Sequence, residues 1–266
     1  MRYAIDLGGT HVRVAAAQSG CEWRHQHSSR RTPGMTPADF IDLLARLSRE
    51  WGTGQPQTIG VSAAAVVDDD GCLVASENLG WKDVPLRRLL SDAFSCKVLV
   101  ETDVFCGAAY EASLGAAAGT QSAFYIGIGT GVGHALILNG QVWRGARRGA
   151  NAFGHTVIDP AGERCYCGHR GCLCSTASGL AQADRPGEDF PLQHLAQAIG
   201  NAITLVEPEL IILAGGALNQ PWFDIVRLAE LIPDFSYPAA FQPQLVRSEA
   251  ADPNLCGALL LSMEQL

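Results

Sequence analysis

Hydrophobic and polar positions along the chain follow two periods. Short apolar runs, among them RYAID, VRVAAA, TIGVSAAAVV, KVLVE and ELIILAGG, predict β-strands. The segments TPADFIDLLARLSREW and DVPLRRLLSDAFS carry apolar residues at helical spacing, and further helices are predicted at residues 103–118, at residues 192–206 and over NLCGALLLSMEQL. Strands that alternate with helices predict an α/β fold.

One helix start is marked by its capping residues. Thr36 is the predicted N-cap, Pro37 occupies the first helical position, and Asp39 completes a pattern similar to a capping box. We therefore expect the first helix to begin at residue 37.

A strand, a glycine turn and a second strand occur in the first half of the chain and again in the second. The first unit contains DLGGT, and the second reads SAFYIGIGTGVGHALILNGQVWRG, in which Asn139 and Gly140 predict a hairpin. This repetition predicts a duplicated architecture with domains at residues 1–102 and 103–266. We expect that the C-terminal helix can pack back on the first domain.

Three glycine turns follow β-rich runs and are candidates for anion binding. In DLGGT, Asp6, Gly8, Gly9 and Thr10 combine an acid, a hydroxyl and backbone N–H groups that an anion can approach closely. An ordinary hairpin explains this pentapeptide equally well. The further turns GIGTGVG and LAGGAL make three, and together they predict a nucleotide held between two lobes.

Composition and charge exclude several classes of protein. The 266-residue chain is 47% hydrophobic and 17% charged, so it is globular, and its formal net charge of −8 argues against nucleic-acid binding. No apolar run reaches the length of a membrane span, and the N-terminus does not resemble a signal peptide. An odd number of cysteines, nine, favours a cytoplasmic protein with reduced thiols.

The segment GHTVIDPAGERCYCGHRGCLC concentrates four cysteines and two histidines. Thiolates and imidazole are the ligands of structural zinc sites. Four reduced surface cysteines are the alternative explanation of this spacing.

The motifs DLGGT, ENLGWKDVPL, ETD, GTGVG, GHTVIDPAGERCYCGHRGCL and ILAGG occur here in one order. In this order they resemble the ROK family (repressors, open reading frames, kinases), and WRGARRGANAFGH with the cysteine segment most resembles its allose-kinase branch. The resemblance implies an ATP-dependent sugar kinase with the two-lobed actin-like ATPase (ribonuclease H-like) fold and a zinc-binding loop. The first domain would carry the phosphate hairpin, and the second would carry the zinc loop and the adenosine-side turn.

The resemblance also implies roles for single residues. The metal would be structural Zn²⁺ on His155, Cys165, Cys167 and Cys172, although an all-thiolate site with Cys174 in place of His155 stays open. Asp103 would be the general base for the sugar hydroxyl, with a simple helix N-cap as the alternative. The expected nucleotide contacts, with Mg²⁺ beside the phosphates, are Asp6, Gly8, Gly9, Thr10, Gly129, Thr130, Gly131, Gly133, Gly215 and Gly216; the expected sugar contacts are Asn78, Thr102, Asp103 and His155.

The chain departs from the family at three sugar-contact positions. The family has an asparagine and two glutamates where this chain has Thr102, Ala152 and Cys174. Such losses cost about 1–3 kcal/mol each in buried hydrogen bonding. The substrate then differs from the common hexoses, or catalysis is weak, or the protein is a non-catalytic ligand-binding sensor.

The basic loop before the cysteine segment bears on these explanations. An anionic sugar would suit Arg144, Arg147 and Arg148, but we interpret them as a solvated loop. A homodimer remains a possibility, and a family repressor is disfavoured because the phosphate turn begins at Asp6.

Overall fold

The computed structural model describes residues 1–18, 22–31, 34–183 and 190–263, and the architecture below is that of these residues. The strands are β1 (Arg2–Leu7), β2 (His11–Ala17), β3 (Trp23–Arg30), β4 (Thr58–Ala63), β5 (Val66–Val67), β6 (Leu73–Ser76), β7 (Trp81–Val84), β8 (Lys97–Thr102), β9 (Ser122–Ile128), β10 (Val132–Leu138), β11 (Gln141–Trp143), β12 (Leu210–Ala214) and β13 (Gln244–Arg247).

The α-helices are α1 (Pro37–Glu50), α2 (Leu86–Phe94), α3 (Asp103–Ser113), α4 (Cys174–Ala177), α5 (Gly179–Ala183), α6 (Phe190–Val206), α7 (Ile225–Leu231) and α8 (Pro253–Ser262). Short 3-10 helices occupy Phe153–His155, Gly216–Asn219 and Ile232–Phe235. Among the described helices, none is both long and apolar enough to cross a membrane.

The chain divides into two compact units. Unit 1 comprises Met1–Tyr110, Gly145–Gly149 and Asp252–Leu266, and unit 2 comprises Glu111–Arg144 and Ala150–Ala251. Unit 1 is therefore built from three separate stretches of chain, of which the last contains α8.

Each unit is organised around a five-stranded sheet with the same topology. The order is β3-β2-β1-β4-β8 in unit 1 and β11-β10-β9-β12-β13 in unit 2. In both, the first three strands are antiparallel and the last two run parallel to the central one. The repeated strand–glycine–strand pattern of the sequence corresponds to β1–β2 and β9–β10. Unit 1 also holds a three-stranded sheet, β5-β6-β7.

Both faces of β1 are buried in unit 1, because successive side chains of a strand point to opposite faces. Tyr3, Ile5 and Leu7 lie in a core with side chains of α1, whereas Ala4 lies on the other face with residues of α8. Small residues on that face let the helix approach closely. A Cβ added at Gly60 of β4 would lie 1.9 Å from the Ala258 carbonyl oxygen of α8.

The core of unit 2 lies between its sheet and α6. Phe124, Ile126 and Ile128 of β9 pack there with Leu195 and Ile199, and all five are buried. The adjacent cysteine segment contributes to this same core, since Cys165, Cys172 and Cys174 belong to it.

The predicted elements are largely present, and three differ in extent. The helix predicted over DVPLRRLLSDAFS begins at Leu86, because Asp83 and Val84 belong to β7. The predicted capping box at Thr36 and Asp39 is confirmed, with each residue bonding the backbone of the other. The run TIGVSAAAVV breaks after Ala63 into β4 and β5. The helix predicted to residue 118 ends at Ser113, because the Glu111 carboxylate accepts from the Ala116 N–H at 2.8 Å and turns the chain.

Candidate active site and metal centre

The turn between β1 and β2 is tight and is fixed from outside by an arginine. The Gly8 N–H donates to the His11 carbonyl at 2.9 Å, which closes the turn. Arg31 donates its Nε to the Gly9 carbonyl at 3.0 Å and its backbone N–H to the Thr10 carbonyl at 2.7 Å. The three predicted turn residues, Gly8, Gly9 and Thr10, are partly exposed.

The same arginine also holds the predicted sugar-side loop of unit 1. The Arg31 guanidinium donates to the carbonyls of Asn78 and Leu79. Asn78 itself is partly exposed. Sequence reasoning missed Arg31, because a lone arginine at the end of a strand carries no local signal for contacts with residues 47 and 48 positions away.

Asp6 is buried at the end of β1 and belongs to a charged group whose other members, Arg13 and Asp252, are partly exposed. Its Oδ2 accepts from Arg13 at 2.8 Å and its Oδ1 accepts from the Ser62 hydroxyl at 3.1 Å, while Arg13 also pairs with Asp252 at 3.1 Å. Burial, with the nearby charge of Asp252, raises the pKa of Asp6 to about 7, although Arg13 opposes this shift. Carboxylate oxygens suit Mg²⁺, so the chemistry of Asp6 and Asp252 fits a hydrated ion of that kind.

Asp103 is the first residue of α3 and follows β8 directly. Its Oδ1 accepts from the Val104 N–H at 2.8 Å. Burial raises the pKa of Asp103 to about 6. The charge of Asp103 also raises the pKa of Asp6, so the two carboxyl groups of unit 1 lie within electrostatic reach of each other.

Thr102 faces the interior of unit 1. The residue is fully buried, and its hydroxyl donates to the Ala65 carbonyl at 3.0 Å. In this conformation its side chain holds the end of β8 and presents no surface to a ligand. The sequence expectation that Thr102 contacts a sugar finds no support in this placement.

Two further glycine turns lie beside each other in unit 2, at the ends of the paired strands β9 and β12. The Gly129 N–H donates to the Gly131 carbonyl at 2.9 Å, and Gly129, Thr130, Gly131 and Gly133 are partly exposed. Gly215 has φ +105°, and a Cβ there would lie 2.3 Å from the Ile128 carbonyl oxygen. Only glycine permits this approach of β12 to β9. Gly216 is exposed, with open space around its Cα.

The cysteine segment brings four predicted ligands together in unit 2. The ligand atoms of His155, Cys165, Cys167 and Cys172 all lie within 4.8 Å of one another. Cys165 Sγ lies 3.6 Å from His155 Nδ1, and Cys167 Sγ lies 3.7 Å from Cys172 Sγ.

These separations fit a tetrahedral zinc ion. Zn–S bonds of about 2.3 Å and Zn–N bonds of about 2.0 Å place ligand atoms about 3.5–3.8 Å apart. Three thiolates and one imidazole are a donor set that binds zinc tightly and leaves no position for water. The group therefore fits a structural zinc ion, and no other group of this kind occurs among the described residues.

Cys174 lies apart from this group. It is buried, its Sγ accepts from the Val132 N–H at 3.2 Å, and burial raises the pKa of its thiol to about 11. A Cβ added at Gly154 would lie 2.4 Å from this sulfur, which accounts for the glycine before His155. The alternative zinc site with Cys174 in place of His155 does not match this arrangement. Ala152 is exposed.

The interpretation of the basic loop as solvated is wrong for Arg148. Its guanidinium pairs with the buried Glu101 at 2.6 Å and with Asp69 at 3.2 Å, so it is not a solvated side chain. Arg147, in contrast, is exposed. The sequence could not reveal this pairing, because Glu101 precedes Arg148 by 47 residues.

Sequence comparisons relate this chain to a protein family that includes a sugar kinase and a repressor. A sequence model described as the ROK family matches residues 2–189. The kanosamine kinase of Amycolatopsis mediterranei (strain S699) is 31% identical over 247 residues, which cover 80% of this chain and 79% of that protein. The xylose repressor of Bacillus spizizenii is 30% identical over 155 residues, and the match spans 56% of this chain but only 39% of the repressor.

A solved structure shows the same fold. The ROK family glucokinase from Streptomyces griseus, in complex with glucose and AMPPNP, superposes with a TM-score of 0.84 at 21% identity and covers 99% of both chains. The fold is therefore the α/β actin-like ATPase fold of the ROK sugar kinases. From the family match together with this fold, the chain belongs to the ROK family.

Proposed function

We propose that this protein is an ATP-dependent sugar kinase in which Asp103 is the general base. The observation that carries the proposal is the Asp103 carboxyl, which burial holds at a pKa of about 6 in the same unit as the β1–β2 turn. A base with a pKa just below neutrality is ionised at pH 7 and still accepts a proton readily. Relatives that are named sugar kinases support the same activity.

The proposed chemistry is transfer of the γ-phosphoryl group of ATP to a sugar hydroxyl. Asp103 accepts the proton as the hydroxyl oxygen forms its bond to phosphorus and the bond to ADP breaks. Oδ2 is the proposed acceptor, because Oδ1 already accepts from the Val104 N–H at 2.8 Å. Mg²⁺, when bound, neutralises the charge of the phosphates.

The glycine turns of each unit are the proposed nucleotide contacts. Backbone N–H groups of the β1–β2 turn and of the β9–β10 turn suit phosphate oxygens, since glycine leaves no side chain in the way. Gly215 and Gly216 end β12 beside that second turn and suit the adenosine. Asp6 would face a hydrated Mg²⁺, and its buried pair with Arg13 would then rearrange.

The zinc ion would be structural. It would tie His155 to the cysteine segment, in addition to backbone hydrogen bonds such as that from the Ile158 N–H to the Gly171 carbonyl at 2.8 Å. His155 would thereby be fixed in orientation and could present its other ring edge to a sugar.

A second candidate function is a non-catalytic ligand-binding protein of the same fold. The observation that favours it is the inward placement of Thr102 and Cys174, both buried and hydrogen-bonded to backbone. Two of the three positions where the family has sugar-binding side chains thus contribute none here. Asp103 favours the kinase, because a buried carboxyl with a raised pKa is typical of a catalytic site.

A coupled assay of ADP release over hexoses, amino sugars and acidic sugars separates the two. Turnover of one sugar that disappears in Asp103→Asn, with nucleotide binding unchanged, supports the kinase. Nucleotide binding without turnover of any of these sugars contradicts it and favours the sensor.

A further inference from the structure

Arg148 lies in a strained backbone position that its side-chain contacts must hold. Its φ is +56°, in the left-handed region that few residues other than glycine adopt. Such a conformation costs about 1 kcal/mol or more and persists where surrounding contacts determine it. The residue belongs to Gly145–Gly149, which is part of unit 1 although the flanking chain belongs to unit 2.

Three contacts of the guanidinium supply that restraint. Nη2 donates to Glu101 at 2.6 Å, Nη1 donates to Asp69 at 3.2 Å, and Nε donates to the Val67 carbonyl at 3.1 Å. The Asp69 side chain is 91% exposed, whereas that of Glu101 is 3% exposed. The pair with Glu101 is therefore the strong one, because solvent screens the other.

Glu101 is the buried member of this ion pair. Removing one partner of a buried ion pair is strongly unfavourable. The second oxygen of Glu101, Oε1, accepts from the Thr102 N–H at 2.9 Å, so the carboxylate bridges Arg148 to the last residue of β8. Thr102 is anchored in turn to the Ala65 carbonyl, and Asp103 follows it directly.

We propose that Arg148 is a positioning residue that acts through Glu101 to fix the corner between β8 and α3. Its guanidinium holds the Glu101 carboxylate in place, Glu101 holds the Thr102 backbone, and the direction of the Asp103 carboxyl is thereby set. The proposal rests on the proposed function, in which Asp103 is the general base. A shift of about 1 Å in a reacting group lowers a rate by as much as about 100-fold.

The kinetic test uses the full chain with Arg148→Met, Glu101→Gln and the double variant. We expect Arg148→Met to lower kcat by about 10- to 100-fold while KM for ATP changes less than about twofold. In the Glu101→Gln background the same substitution should change kcat far less, because the Arg148–Glu101 ion pair is already absent there. Arg46→Met is the matched control, since Arg46 forms an exposed pair with Glu50 on α1 and should leave kcat unchanged.

Arg148→Gly separates positioning from stability. Glycine adopts φ +56° without strain, so this variant should recover thermal stability relative to Arg148→Met, while kcat stays equally low. Arg148→Lys keeps one charged donor and should restore part of kcat. If kcat follows the thermal stability across these variants, or if Arg148→Met leaves kcat unchanged, the proposal is wrong.

A readout without turnover keeps this proposal distinct from the proposed function. Hydrogen–deuterium exchange should accelerate at residues 98–110 in Arg148→Met, because the Glu101 carboxylate that accepts from the Thr102 N–H is no longer held by Arg148. Arg46→Met should not accelerate it. If the wild type phosphorylates no sugar, the kinase assignment fails and exchange alone decides the role of Arg148. Unchanged exchange at this segment would overturn it.

Discussion

The Asp103 carboxyl is buried, which disfavours its charged form, and it is also the proposed general base. Burial raises its pKa from 3.8 to about 6, so the folded state binds the proton more tightly than the unfolded chain does. The contribution of Asp103 to the free energy of unfolding therefore falls as the pH rises from about 4 to about 6. Above that range the loss of stability is complete and constant. A carboxyl kept in such a position is typical of an active site.

Replacing this carboxyl should raise stability and abolish activity. Asp103→Asn keeps an oxygen for the Val104 N–H and removes the buried charge, so we expect about 1–3 kcal/mol more stability at pH 8 and no gain below pH 4. Urea unfolding at both pH values measures this. The exposed Asp42→Asn is the control. A variant no more stable than wild type at pH 8 would contradict the assigned burial.

The same titration sets the pH dependence of the reaction. Asp103 accepts a proton only when ionised, so kcat/KM should fall by at least about tenfold per pH unit below pH 6. A rate profile measured from pH 5 to pH 8 checks this. A flat profile down to pH 5 would mean that Asp103 is not the base.

The cysteine ligands make a prediction that needs no substrate. Cys167→Ser removes one thiolate of the four-ligand group, so the zinc content should fall from about one ion per chain and the melting temperature should fall with it. Elemental analysis and thermal unfolding measure both. Cys72→Ser, outside the group, should change neither. Equal metal content in the two variants would argue against the site.

At the scale of elements, α8 lies so close to the sheet of unit 1 that a single methyl group matters. Gly60→Ala would place a Cβ 1.9 Å from the Ala258 carbonyl, and backbone must move to admit it. We expect a loss of about 1–3 kcal/mol in the free energy of unfolding. Gly149→Ala is the control, because that position has open space and no left-handed φ. Equal unfolding midpoints for Gly60→Ala and Gly149→Ala would show that α8 can move away from the sheet at little cost in free energy.

The elements also show what sequence patterns can and cannot predict. The start of α1 was predictable because its capping residues are neighbours in sequence. The hairpins β1–β2 and β9–β10 were predictable because each contains its own turn. The end of α3 was not, because the Glu111 side chain decides it. Among the predicted site residues, the four metal ligands that the family resemblance implies lie together. The inward placement of Thr102 depends on Ala65, a distant partner that local pattern does not reveal.

At the scale of the whole molecule, unit 1 requires both ends of the chain. Asp252 caps α8 and pairs with Arg13, while Leu255, Ala258 and Leu259 cover the face of β1 and β2 that carries Ala4 and Ala15. Removing residues 252–266 should therefore leave unit 1 unable to fold, and limited proteolysis of the truncated protein should cut within residues 1–110. Resistance of that region to protease would contradict this role of α8.

This closure by α8 has a consequence for biosynthesis. A ribosome makes the first 110 residues early, yet their sheet lacks its covering helix until about residue 263 has left the exit tunnel. Unit 2, which closes with residue 251, can form its core first. The nascent chain must therefore carry one uncovered apolar face of this sheet until α8 has been made, a period in which chaperone binding has the greatest effect.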